Sequence, residues 1–156
     1  MELQTWTAPP GEPIPNHPRW PVLIYHGVDV GDGESLFINN GWGGTWTDGV
    51  FDYHHFHSTS HEALAVIAGS ATLELGGPQG QAFEVSAGDV LILPAGTGHR
   101  RASSRDGFTV AGAYPPGQEI YDILRAANPT ALSRITHLPP PPTDPVGGEG
   151  IALWRS

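Results

Sequence analysis

Cysteine is absent from the 156 residues, which excludes disulfides, thiolate metal sites and cysteine nucleophiles. Lysine is absent as well. All seven cationic side chains are arginines (19, 100, 101, 105, 125, 134 and 155), so Schiff-base chemistry and a Walker-type phosphate lysine are excluded by inventory. Charged residues make up only 15% of the chain, and no apolar run reaches bilayer-spanning length. The opening Met1-Glu2-Leu3-Gln4-Thr5 has no basic patch leading into an apolar stretch, so no signal peptide is visible and a cytoplasmic location is the expectation. With a formal net charge of −9, the surface cannot bind nucleic acid by releasing counter-ions. The one basic focus is Arg100, Arg101 and Arg105, which reads as solvated surface or, more sharply, as an anion site near a pocket mouth.

Glycine (21) and proline (16) are abundant instead, which points to many turns and short strands. Residues 1–19 are polar and proline-rich and read as an extended arm. Strand-like runs follow at 20–25 and 35–38, then 45–47 before Asp48-Gly49, a hairpin signal. The centre offers candidate strands at 51–57, 62–68, 71–75, 82–85, 90–93 and 108–113, separated by glycine turns. Such spacing, with no alternation of strand and helix, favours an all-β antiparallel sandwich or barrel. Past Pro115-Pro116, Ile120, Ile123 and Leu124 at helical spacing predict a helix over 118–127, and 130–135 offers a second helical turn. Ile151, Leu153 and Trp154 are candidate anchors for a tail that wraps back. The reading is one domain over 1–156, with a core at about 20–114 and a helix and tail at 117–156.

Four of the eight histidines, His54, His55, His57 and His61, crowd into one short stretch. On a strand, alternate side chains share a face, so His55 and His57 point together and His54 points away. If the turn after His57 is a hairpin, Glu62 returns close enough to offer a carboxylate oxygen. A lone histidine is ordinarily structural, and a His-x-His pair with a nearby carboxylate is ambiguous. The distant segment that ends in Pro94-Ala-Gly-Thr-Gly-His99 can supply a further imidazole. His17, His26 and His137 have no partner visible in the sequence.

Two spacings in this region resemble the two motifs of the cupin superfamily. Gly49, five residues, His55-Phe56-His57, four residues, Glu62, six residues and Gly69 is similar to the first motif. Gly88, five residues, Pro94-x-Gly96, two residues and His99 is similar to the second. One position departs: the second motif commonly closes on Asn four residues after its histidine, and here Ser103 stands there. The resemblance implies a double-stranded β-helix, or jelly-roll barrel, with a metal inside its open end. It carries over His55, His57, Glu62 and His99 as ligands to one divalent transition metal (Fe, Zn, Mn, Ni or Cu). It also implies dioxygenase-like oxidoreductase, isomerase or epimerase chemistry on a small organic molecule, or non-catalytic metal or small-molecule binding.

Strand alternation places Leu64 and Val66 on the inner face, facing either Leu91 and Leu93 or Val90 and Ile92. Tyr53, two before His55 and on its inward face, is a candidate hydrogen-bond or proton donor near the metal, with packing as the alternative, and His61, in the turn, is a candidate supporting group near the pocket. Trp42 and Trp46 flank a glycine loop and are candidates for the pocket mouth. The N-terminal arm and proline-rich tail cannot bury themselves as isolated strands, which makes a homodimer the expected assembly.

Overall fold

The structure, a computed structural model, describes residues 1–155. In chain order the elements are β1 (Glu2–Trp6), β2 (Val22–His26), α1 (Glu34–Asn39), β3 (Gly43–Asp48), β4 (Glu62–Leu75), β5 (Gln81–Ser86), β6 (Val90–Leu93), β7 (His99–Tyr114) and α2 (Pro129–His137). A 3-10 turn covers Gly150–Trp154. The strands join antiparallel in the order β1-β2-β6-β4-β7-β3, with β5 on the second half of β4. The protein is therefore an all-β barrel with few helices. None of its described helices is long and apolar enough to cross a membrane.

The sheet curls because β4 and β7, at 14 and 16 residues, each serve two neighbourhoods. Residues 62–65 of β4 pair with β6, residues 70–75 pair with β5, and β7 runs along both stretches. Register shifts at Val66/Ala68, Ala68/Ser70 and Thr72/Leu73 bend the long pair, as bulges do. Period-two alternation then sorts side chains into two layers. Val22, Ile24, Leu64, Val66, Leu91, Leu93 and Val110 fill the barrel interior. Leu23, Tyr25, Ala63, Ala65, Val90 and Ile92 point outward and are covered by Phe37, Trp42, Ile151 and Trp154. Of the two faces open to β6 in the sequence, Leu91 and Leu93 are thus the inner one.

Several local expectations are corrected. Residues 35–38 are not a strand but the middle of α1, where Asp32 accepts from the Ser35 amide at 2.8 Å and Phe37 is buried. A run of three apolar residues, Leu36 to Ile38, is too short to separate the two periods. Asp48-Gly49 is no hairpin: β3 pairs with β7 at the sheet edge. The 118–127 helix does not form, because Phe56 and Leu124 exchange backbone hydrogen bonds at 2.9 Å and hold that segment extended. Ile120 is consequently 95% exposed rather than on an apolar helix face. Helix formation occurs one segment later, in α2, where Asn128 caps the Ala131 amide and Pro129 starts the first turn.

The N-terminal arm finds a partner within the chain, as β1 pairs with β2 along its whole length. In the tail Ile151 and Trp154 are buried anchors, whereas Leu153 is 47% exposed. The Tyr25 hydroxyl ties the tail to the barrel: it donates to Asp144 Oδ2 at 2.6 Å and accepts from the Gly150 amide at 2.6 Å. Tyr25→Phe takes one partner from each of these groups. It is expected to lower the unfolding free energy by about 1–3 kcal/mol, measured by equilibrium urea unfolding.

Candidate metal centre

Two stretches of chain far apart in sequence are joined by one reciprocal backbone pair. The His55 amide donates to the His99 carbonyl at 3.3 Å, and the His99 amide donates to the His55 carbonyl at 3.0 Å. The Gly96 amide adds a bond to the His57 carbonyl at 2.8 Å. Residues 51–57 are not a regular strand, yet these bonds hold 55–57 extended, so the expected alternation survives. His55 and His57 face the barrel interior, and Phe56 points the other way into a small cluster with Ile14, Ala95, Ala131 and Ile135. The ligand-capable nitrogens of His55, His57 and His99 lie within 4.8 Å of one another, and all three residues are buried.

Glu62 opens β4 on the inner face. Its Oε1 lies 3.1 Å from His99 Nε2 and its Oε2 lies 3.4 Å from His57 Nε2. The turn between His57 and Glu62 is not the hairpin the sequence suggests, since β4 pairs with β6 and β7. Proximity comes from the turn at Ser58–Ser60 folding against Asp122. That carboxylate accepts from the Ser58 amide at 2.7 Å, the Thr59 amide at 3.2 Å and the Ser58 hydroxyl.

Each imidazole is oriented through its other nitrogen. Nδ1 of His55 meets the Tyr53 carbonyl at 3.0 Å, Nδ1 of His99 meets the Thr97 carbonyl at 3.0 Å, and Nδ1 of His57 meets the Asp122 carbonyl. A carbonyl only accepts, so Nδ1 carries the proton and Nε2 of a neutral ring keeps its lone pair for the common point. His57 Nε2 is buried without a hydrogen-bond partner, with Glu62 Oε2 at 3.4 Å. Burial, with His99 beside it, pulls the His55 pKa down to about 3, so this ring is neutral at ordinary pH. For His57, burial is outweighed by the Glu62 carboxylate, and its pKa is raised. For Glu62, burial is likewise outweighed by His57 and His99, which hold its carboxyl well below the usual range. Burial and then the Glu62 charge push the Tyr114 phenol up, so it stays protonated.

The cluster opens into a cavity of about 330 Å³ lined by Trp46, Phe51, Leu64, Tyr114, Tyr121 and Ile123 among others. The sequence candidates for proton movement are not there. Tyr53 does not line the cavity; its ring stacks on Phe51 at 4.9 Å and lies under the Arg125 guanidinium at 4.4 Å. His61 lies on the far side of the barrel wall, because it alternates with Glu62. Its Nδ1 accepts from the Ala95 amide and its Nε2 donates to the Pro139 carbonyl, both at 2.9 Å. Burial lowers its pKa to about 4, so it serves as a neutral structural strut. His54 points away, 3.6 Å from Glu74.

Trp46 reaches the cavity, and Trp42 packs outside the barrel with its indole donating to the Thr143 carbonyl. Arg100 and Arg105 are paired with Glu74 and Glu84, and Arg101 binds the Val50 carbonyl. None of the three arginines lines the cavity. Sequence reasoning missed Tyr114, Tyr121 and Asp122. Tyr114 was legible, since inward alternation through Val110 and Gly112 leads to it; the expected strand stops one residue short. Asp122 carries no local signal, because its partners lie more than 60 residues away.

The Cupin domain family matches residues 44–108, a stretch that holds both histidine segments. The uncharacterized protein YjlB of Bacillus subtilis (strain 168) is 38% identical over 162 residues, covering 98% of this chain and 97% of that protein. Among solved structures, an acireductone dioxygenase from Bacillus anthracis with a cadmium ion in its active centre matches 60% of this chain and 48% of its own. Identity there is 21% and the TM-score 0.33, a likeness that says nothing of this chain's substrate. Full-length similarity to YjlB and the domain match across both histidine segments make this chain a member of the cupin superfamily.

Proposed function

We propose that His55, His57 and His99 bind one divalent transition metal with Glu62 as the fourth ligand, and that the protein is a metal-dependent oxidoreductase acting on a small organic molecule. The observation that carries this reading is the convergence of three buried imidazoles, each with Nδ1 held by a backbone carbonyl and Nε2 turned to a common point. The donor set suits such an ion: three borderline nitrogens and one hard anionic oxygen fit Fe, Zn, Mn, Ni or Cu. The partnerless His57 Nε2, buried beside an ionised carboxylate, offers a lone pair that a cation would satisfy.

A bound transition metal would supply Lewis acidity and, in the case of iron, redox chemistry with dioxygen. The protein's own residues supply the rest. Leu64, Phe51 and Ile123 give the cavity apolar walls that favour a small, partly apolar substrate. Tyr114, protonated and buried, holds a proton at the edge of the site, and the ring of Tyr121 stacks on it at 4.2 Å. Trp46 donates to the Tyr114 oxygen and closes the wall behind it. A homodimer belongs to the same reading, through the terminal strand β1, whose residues are mostly exposed. A monomeric mass by light scattering would count against that part.

Metal analysis of the purified protein tests the central proposal: about one transition-metal ion per chain is expected. His57→Ala should lose most of it while keeping its far-UV circular dichroism, and full retention of metal in the variant would refute the assignment. Asp122→Ala should also loosen the centre without removing a ligand, because it frees the turn at Ser58 and Thr59 and the carbonyl that orients His57. A fall in metal affinity of about tenfold is expected, measured by competition with a chromophoric chelator.

A further inference from the structure

Glu62 has two carboxylate oxygens, and their surroundings differ. Oε2 accepts the Tyr114 hydroxyl at 2.7 Å, a charge-assisted bond, and lies 3.4 Å from His57 Nε2. Oε1 faces His99 Nε2 at 3.1 Å and accepts from no tyrosine. A tyrosine hydroxyl has one proton to give. Here the Trp46 indole N–H donates to the Tyr114 oxygen at 2.8 Å, which occupies its acceptor side and leaves the proton directed at Glu62. The indole can sit there because its cross-strand partner is Gly112: a Cβ on Gly112 would lie 2.3 Å from the Trp46 ring. Tyr114 itself is fully buried, stacked by Tyr121 and approached edge-on by His57 at 6.3 Å between centroids. The hydroxyl thus donates to Glu62 while its oxygen accepts from Trp46.

Resting on the metal centre proposed above, we infer that Tyr114 is a positioning residue. By occupying a lone pair of Oε2, it would favour Oε1 as the oxygen that meets a cation and would keep one coordination position open to the cavity. Carboxylates bind metals through one oxygen or two, and a two-oxygen Glu62 would take up that position itself. Trp46 acts one step further out, by aiming the hydroxyl.

The test uses the full chain loaded with Co(II), whose visible spectrum reports coordination, and azide as the probe of an open position. The unaltered protein should take up one Co(II) and bind azide with a clear spectral change. Tyr114→Phe should take up Co(II) equally, show weaker visible bands because Glu62 closes the shell, and bind azide about tenfold more weakly or worse. Trp46→Phe, which keeps the hydroxyl but not its aim, should fall between. If Tyr114→Phe does not fold, judged by circular dichroism, the Trp46→Phe result decides alone. Wild-type spectra and azide affinity in the variants would overturn the role of Tyr114 while leaving the metal centre intact. Failure of the unaltered protein to take up Co(II) would overturn both.

Discussion

The reciprocal hydrogen bonds between the backbones of His55 and His99 are the constraint on which the site depends. They join the loop before β4 to the start of β7, segments that share no regular strand pairing with each other. An antiparallel pair of this kind brings the two side chains onto one face, and the imidazole centroids lie 4.0 Å apart. His57 follows by alternation, and Glu62 follows as the first inward residue of β4. The barrel frames this junction: β4 fixes Glu62, β7 fixes both His99 and Tyr114, and the 118–125 segment folds over the open end to orient His57.

The electrostatics are consistent with that frame. Nδ1 contacts with carbonyls are uncharged and cost little in a buried place, yet they fix tautomer and ring direction together. The buried Glu62 carboxylate stays ionised because two imidazoles and a phenol hydroxyl surround it. Without a cation, the charge of Glu62 is met by a raised proton affinity at His57. A cation would take over that role, with the proton released. The chain's shortage of cationic side chains is felt here, as no arginine lines the cavity to answer the carboxylate.

Much of this was legible in the sequence, for a definable reason. The all-β class followed from short apolar runs separated by glycine, and the inward pairing of His55 with His57 followed from period-two alternation. Both depend on local geometry alone. His99 could be placed only through a motif spacing, because its meeting with His55 is a long-range event. Where tertiary bonds override local pattern, the reading failed. Residues 118–127 have helical spacing, but the backbone bonds to Phe56 and the clasp of Asp122 on Ser58 and Thr59 draw them into an extended strap. Alternation gives Tyr53 the face of His55, and His61 sits next to Glu62, yet the Tyr53 ring packs on Phe51 under Arg125 and His61 faces out through the barrel wall. The phenols beside the site, Tyr114 and Tyr121, come from the far end of β7 and from the strap.

X-ray absorption spectroscopy of the zinc-loaded protein tests the convergence of the three rings most directly. The account predicts a first shell of nitrogen and oxygen at about 2.0–2.1 Å, with outer-shell scattering that fits three imidazoles. A shell with one imidazole or none, or a purely aqueous ion, would contradict it.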